Sequence, residues 1–219
     1  MSRRDQNMRC GGGWRRQVLA GLGALALLLP GRSAGSADAV PVRAPVESFH
    51  AVVLEVFRHS GDLSYDQRLA RLEPALTQNF DVAFMAEKVL GRTWGELTAA
   101  QRARWVTAFG RLMASNYAAR FVGFGGQHFA TLGDAAGPHQ THMVQTRLVD
   151  PGGENVNLDY RLRETPGGWR IVDIYAKGTV SELALRRSEY SGVARRDGFA
   201  GLLRSVDAQI AKLAAEKPA

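Results

Sequence analysis

Five histidines, a lone cysteine and the acid Asp173 are the side chains from which this sequence could build a reactive site. His139 and His142 come nearest to a metal pair. They stand three apart in a stretch that reads as strand, where odd spacing sends side chains to opposite faces. No third ligand follows at a sensible spacing, so the pair fits ordinary surface histidines better than zinc. His50, His59 and His128 have no recognisable orienting partner in the sequence. Asp173 is of more interest, because it shares strand parity with Trp169, Ile171 and Tyr175 and so falls on a face expected to be buried. An unpaired carboxylate there has a raised pKa and can act as a general base. The alternative is structural: an arginine of the following helix, Arg186 or Arg187, satisfies it, and buried acids are usually so paired. The expected ion pair is Asp173 with Arg187. No Walker loop, dinucleotide fingerprint, G-x-S-x-G elbow or H-E-x-x-H helix is present, so no cofactor and no metal is implied.

Two further groups stand out by type. Arg186-Arg187 and Arg195-Arg196 are dibasic pairs near the last helix, either a solvated face or a surface for anionic headgroups or an acidic partner. Trp105, Phe109, Leu112, Met113, Tyr117 and Phe121 form an apolar stripe at helical spacing, with Arg104, Arg111, Ser115 and Arg120 mostly facing away.

These residues need elements to hold them. Val46, Phe49, Val53, Val56 and Phe57 predict a helix that Gly61-Asp62 stops. Ser64 with Gln67 is a capping box for a second helix, striped by Leu69, Leu72 and Leu76, which Pro74 should shorten or kink. A short helix is expected from Asp81 to Leu90, and Thr98 with Gln101 opens the aromatic-striped one. The period then becomes alternating. Turn signals at Gly137-Pro138, Asp150 to Gly153 and Thr165 to Gly168 cut residues 127–177 into four runs of strand length. In the clearest run Val156, Leu158, Tyr160 and Leu162 share one face, and Asn155, Asn157, Asp159, Arg161 and Arg163 the other. Thr179 with Glu182 reads as a third capping box, and Phe199, Leu202, Leu203, Val206, Ile210 and Leu213 stripe the last helix. The expected fold is α+β, with helices on one face of a twisted four-stranded antiparallel sheet.

The first 39 residues read differently. Six arginines precede or flank an apolar run from Val18 to Leu29, and Ala37-Asp38-Ala39 has the small-x-small form of a signal peptidase site. Twelve apolar residues fall short of the roughly 20 that span a bilayer. The expectation is a cleaved export signal over residues 1–39 and a single domain over 40–219. Arg15-Arg16 leaves general secretory and twin-arginine export both open. Removing the leader's six arginines and two acids from the chain's 28 basic and 21 acidic residues lowers the net charge from +7 to +3. It also removes Cys10, the only cysteine. A near-neutral exported domain without cysteine is a poor nucleic-acid binder, has no disulfide framework and must rest on a hydrophobic core.

The order Tyr65-Asp66-Gln67-Arg68, Phe80-Asp81, Gly91, Trp94, Leu97-Thr98 to Gln101, Phe109 and Tyr117 resembles the MlaC or toluene-tolerance family of periplasmic phospholipid-binding proteins. So do Val156 to Leu162, Gly168-Trp169-Arg170-Ile171-Val172-Asp173-Ile174, Gly178-Thr179-Val180-Ser181 and Arg187-Ser188-Glu189-Tyr190 before Gly198-Phe199. The stretch from Ser181-Glu182-Leu183 to Arg187-Ser188 is most similar to the hopanoid-associated HpnM branch. The resemblance spans residues 46–213 and implies a monomeric, non-enzymatic periplasmic carrier of phospholipid or hopanoid. Such a carrier would work between an outer-membrane lipoprotein complex and an inner-membrane ABC transporter complex. The apolar walls would come from Val144, Val156, Leu158, Tyr160, Ile171 and Tyr175 of the sheet, covered by Trp105, Phe109, Met113 and Tyr117.

Two other classes stay open. One is a small cone-shaped α+β enzyme of isomerase or dehydratase type, using Asp173 with a histidine in an apolar pocket. The other is an interaction module with a solid core and an arginine surface.

Overall fold

Two of the three helical capping boxes expected from the sequence form. In the computed structural model, which describes residues 41–216, the Ser64 hydroxyl accepts from Gln67 N at 3.2 Å while Ser64 N donates to the Gln67 side chain at 2.8 Å. Thr98 and Gln101 repeat the arrangement. Each box satisfies two of the backbone donors that a helix start leaves without partners. The helices they open are α2 (Tyr65–Asn79) and α5 (Ala99–Arg120), and α1 (Ala44–Arg58) precedes them. Between them lie α3 (Val82–Leu90) and the single turn α4 (Thr93–Glu96). Pro74 does not shorten α2, which continues to Asn79. Leu72, Ala75 and Leu76 are buried on either side of it, and their packing outweighs the backbone hydrogen bond the proline removes.

The sheet is an antiparallel meander with strands in sequence order: β1 (His128–Ala136), β2 (Thr141–Val149), β3 (Val156–Thr165), β4 (Gly168–Ala176) and β5 (Val180–Ser181). The fifth strand, absent from the sequence reading, is two residues long and pairs with Tyr175 and Ala176. It also corrects the third capping box. Pairing keeps Val180 and Ser181 extended, so α6 (Glu182–Ala215) starts later than Thr179, and Ser181 is its cap, accepting from Ala184 N at 3.0 Å. Gly198, at φ 66° and ψ −176°, interrupts α6 in a region of backbone space that only glycine occupies readily.

Helices pack on one another, α1 on α2, α2 on α5 and α5 on α6, while α1, α3 and α6 touch β4. An apolar core lies between helices and sheet: Val46, Phe49, Val53, Leu72, Trp105, Phe109, Val144, Leu162 and Ile171 are all buried. Asp81 pins the layers together. Its carboxylate caps α3 through Phe84 N at 3.0 Å and accepts from Arg163 of β3 at 2.7 Å, and its own N–H donates to Ile171 O at 2.9 Å. Ser115, expected on the outer side of α5, is fully buried, because α5 is covered by α2 and α3 as well as α6. Arg104, Arg111 and Arg120 are exposed as expected.

A bulge in β4 alters what the alternation predicts. Leu162 pairs with Ile171 but Arg161 pairs with Asp173, which leaves Val172 as the extra residue. Two residues of a bulged strand oppose one of its partner, and every side chain beyond it changes face. The expected leader, residues 1–39, lies outside the described residues. No described helix is long and apolar enough to cross a membrane.

Candidate functional site

The core is not solid throughout. A cavity of about 410 Å3 opens between the sheet and the helices, within the range of about 300–1,000 Å3 common for small-molecule sites. Phe57 of α1, Met85 of α3 and Phe109, Leu112, Met113 and Tyr117 of α5 form its helical wall, with Phe121 just beyond α5. Leu148, Val156, Leu158, Tyr160, Ile174 and Ala176 form its sheet wall. The sheet residues are in cross-strand register, Leu158 beside Ala176 and Tyr160 beside Ile174, so period-2 alternation delivers them to one face.

The polar lining is segregated. It comes from the last turns of α5 (Asn116, Arg120), the start of α6 (Glu182, Arg186) and the connections on either side of β1 and β2 (Gln127, Asp150). Arg120 is exposed, so the cavity reaches solvent there. Several of these groups hold one another: Gln127 donates to Asp150 at 3.1 Å, and Arg186 lies 3.8 Å from Glu182 and 3.1 Å from Glu189.

Within the walls every ionisable group is neutral. Burial raises the Tyr117 phenol, with the Glu182 carboxylate adding to the shift and Arg120 opposing it. Burial, reinforced by Tyr117, raises the Tyr160 phenol as well. Tyr160 OH and His50 Nε2 are 2.9 Å apart, and the imidazole stacks on Phe129 at 3.7 Å between centroids. Burial pushes the His50 pKa down from 6.5 to about 3, so the ring is uncharged at neutral pH. The Thr146 hydroxyl, also buried, donates to Leu158 O at 2.7 Å. Chemically, the cavity offers a long apolar surface with a charged rim of both signs.

Six of the ten wall residues expected from the sequence line this space: Phe109, Met113, Tyr117, Val156, Leu158 and Tyr160. The other four are corrected. Trp105, Val144 and Ile171 are fully buried core residues that do not reach it, and Trp105 Nε1 is bound to Ala86 O at 3.0 Å. Tyr175 lies opposite Asp159 on the other face of the sheet, displaced by the bulge at Val172. The same bulge hid Ile174 and Ala176 from the sequence reading, since nothing in the alternation marks it. Phe121 and Leu112 were legible as members of the aromatic stripe.

The Asp173–Arg187 pair is also corrected. Beyond the bulge Asp173 leaves the core face, yet it remains 1% exposed because the start of α6 folds over it. Its carboxylate accepts from Ile174 N at 2.8 Å, Ser181 Oγ at 2.7 Å and Leu183 N at 3.0 Å, and Arg161 Nη2 stands 3.6 Å away. The positive end of α6 and a cross-strand arginine supply what Arg187 was expected to supply. Arg187 instead lies against the Gly91 turn, and Arg186 pairs within α6. Asp173 does not line the cavity and has no histidine among its partners, so the acid invoked by the enzyme reading is a structural one.

His142 is held by Asp134 at 2.9 Å and packs edge-on against Trp169 at 5.7 Å, while His139 sits in the β1–β2 turn at φ 55°. Among the described residues no three histidines, cysteines or carboxylates converge as metal ligands.

A family model described as MlaC protein matches residues 49–208, from α1 to the second half of α6. The chain belongs to the MlaC family. The match contains every residue that lines the cavity, and it is consistent with the ordered resemblance noted in the sequence. Among solved structures, this MlaC-family chain is similar to the phospholipid-binding protein of Ralstonia solanacearum, determined in complex with a phospholipid. The two share 24% identity at a TM-score of 0.69, over 79% of this chain and 98% of that one. The α+β fold, helices over an open antiparallel sheet, is common to both.

Proposed function

We propose that this MlaC-family chain is a non-enzymatic lipid carrier that shields the acyl chains of one phospholipid in the cavity beneath α5. The observation that carries the reading is the division of the cavity into neutral apolar walls and a charged rim. About 30 methylenes at roughly 0.8 kcal/mol each make on the order of 24 kcal/mol of water exposure that a carrier must avoid. A wall with no ionised group does that, and a rim bearing Arg120, Arg186 and Glu182 leaves a headgroup in water. The similar Ralstonia solanacearum protein was solved with a phospholipid, which supports the same ligand class here. The likeness of the Ser181 to Ser188 stretch to the hopanoid-associated branch makes a hopanoid the second candidate.

In this proposal the signal is removed after Ala39 and the domain works in the periplasm as a monomer. It moves lipid between an outer-membrane lipoprotein complex and an inner-membrane ABC transporter complex, with the energy supplied by the transporter. No nucleic acid, metal or cofactor takes part. The test is uptake: the delipidated protein is mixed with labelled phospholipid or hopanoid and the bound fraction is measured after gel filtration. Saturable uptake near one lipid per chain is expected. A folded protein that takes up neither contradicts the proposal.

A further inference from the structure

The two dibasic pairs of α6 do not act as pairs. Arg186 is bound to Glu182 and Glu189 at the cavity rim, and Arg196 to Asp197 at 2.8 Å. Their neighbours Arg187 and Arg195 make no salt bridge among the described residues. They stand two helical turns apart on one side of α6, with Ser191 between them, and all three line a separate cleft of about 330 Å3. Leu90, the last residue of α3, and Gly91 and Arg92 of the turn to α4 form its other side. Arg92 likewise has no acidic partner among the described residues. Gly91 adopts φ 57°, and a Cβ there would sit 3.4 Å from the Arg187 guanidinium. The Arg187 guanidinium thus lies over the Gly91 turn, in the cleft that Arg92 also lines.

Three guanidinium groups gathered at one cleft repel one another unless an anion lies between them, and their planar forks suit the oxygens of a phosphoryl group. We propose that this cleft, formed by Arg92, Arg187, Ser191 and Arg195, is a second ligand site that binds a phosphate-type oxyanion. The oxyanion is either free phosphate or the phosphodiester headgroup of an anionic lipid at a membrane surface. The site is separate from the apolar cavity and does not depend on what the cavity holds.

The experiment is an amide chemical-shift titration of the mature protein with sodium phosphate at low ionic strength. It is run beside sedimentation with phosphatidylglycerol vesicles and with neutral phosphatidylcholine vesicles. The wild type should show saturable shifts at residues 91–92 and 187–195, weakened about tenfold or more in R187Q/R195Q and in the single variant R92Q, since each lost charged hydrogen bond removes a comparable factor. Sedimentation with phosphatidylglycerol alone, lost in the same variants, identifies the headgroup as the source. Phosphate binding without vesicle binding identifies the free oxyanion. Shifts centred elsewhere, no saturable shift, or binding unchanged in both variants overturns the site. Lipid retained in the apolar cavity, read by native mass spectrometry, should be the same in R187Q/R195Q as in wild type, which keeps this test independent of the carrier proposal.

Discussion

The carboxylate of Asp173 accepts the backbone N–H of Leu183 at 3.0 Å, so the end of β4 caps the first turn of α6. The same side chain holds Ser181, itself the cap of that helix, and the two interactions fix the angle at which α6 leaves the sheet. Glu182 and Arg186 at the cavity rim are carried on this turn. A residue that looked like a candidate base is thus an anchor for the rim.

Asp173→Asn should accordingly lower stability by about 1–3 kcal/mol, because the amide replaces one acceptor oxygen and removes the charge opposite Arg161. Denaturant midpoints measure this. The folded fraction should still bind lipid, since Asp173 is outside the cavity. A variant as stable as wild type would remove the anchoring role.

His50 makes stability depend on pH. Its folded pKa is lowered from 6.5 to about 3, so the unfolded chain binds a proton at a pH where the folded chain does not. Its contribution is therefore complete above about pH 6.5 and is lost as pH falls towards 3, with a slope of up to about 1.4 kcal/mol per pH unit. His50→Gln should be less stable at pH 7, through a weakened bond to Tyr160, yet flatter between pH 6.5 and 4. Parallel slopes for the two proteins in urea titrations across that window would contradict the neutral buried imidazole.

Gly198 joins the two halves of α6 at φ 66° and has open space where a Cβ would go. Gly198→Ala should cost about 1–3 kcal/mol from backbone strain alone, with no clash to relieve. Asp197→Ala, beside it in ordinary helical conformation, serves as the control in the same thermal melts. Equal melting temperatures for Gly198→Ala and wild type would mean that the interruption is not built into the fold.

The legible parts of the sequence were those set by local chemistry. Ser64 with Gln67 and Thr98 with Gln101 named their helices because a capping box is complete within four residues. Val156 to Leu162 named its own faces by simple alternation. The illegible parts were set by partners distant in sequence. The bulge at Val172 exists only in register with Arg161 and Leu162, and it moved Asp173 and Tyr175 off the core face and brought Ile174 and Ala176 to the cavity. Thr179 looked like a cap until the pairing of β5 with Tyr175 and Ala176 delayed the helix. Trp105 and Phe109 share a stripe on α5, but only the second reaches the cavity. Depth along a buried helix carries no signature in the periodicity that buries it.

The cavity's role is tested most directly by placing a charge on its wall and counting bound lipid. Leu158 lines the cavity beside Ala176, and an ionised carboxylate there must be desolvated when an acyl chain enters. Native mass spectrometry of wild type and folded Leu158→Glu, purified from the same membrane-rich source, gives the occupancy of each. About one lipid per wild-type chain and little or none on folded Leu158→Glu is the predicted result. Lipid-free wild type, or a folded variant with full occupancy, would contradict the account.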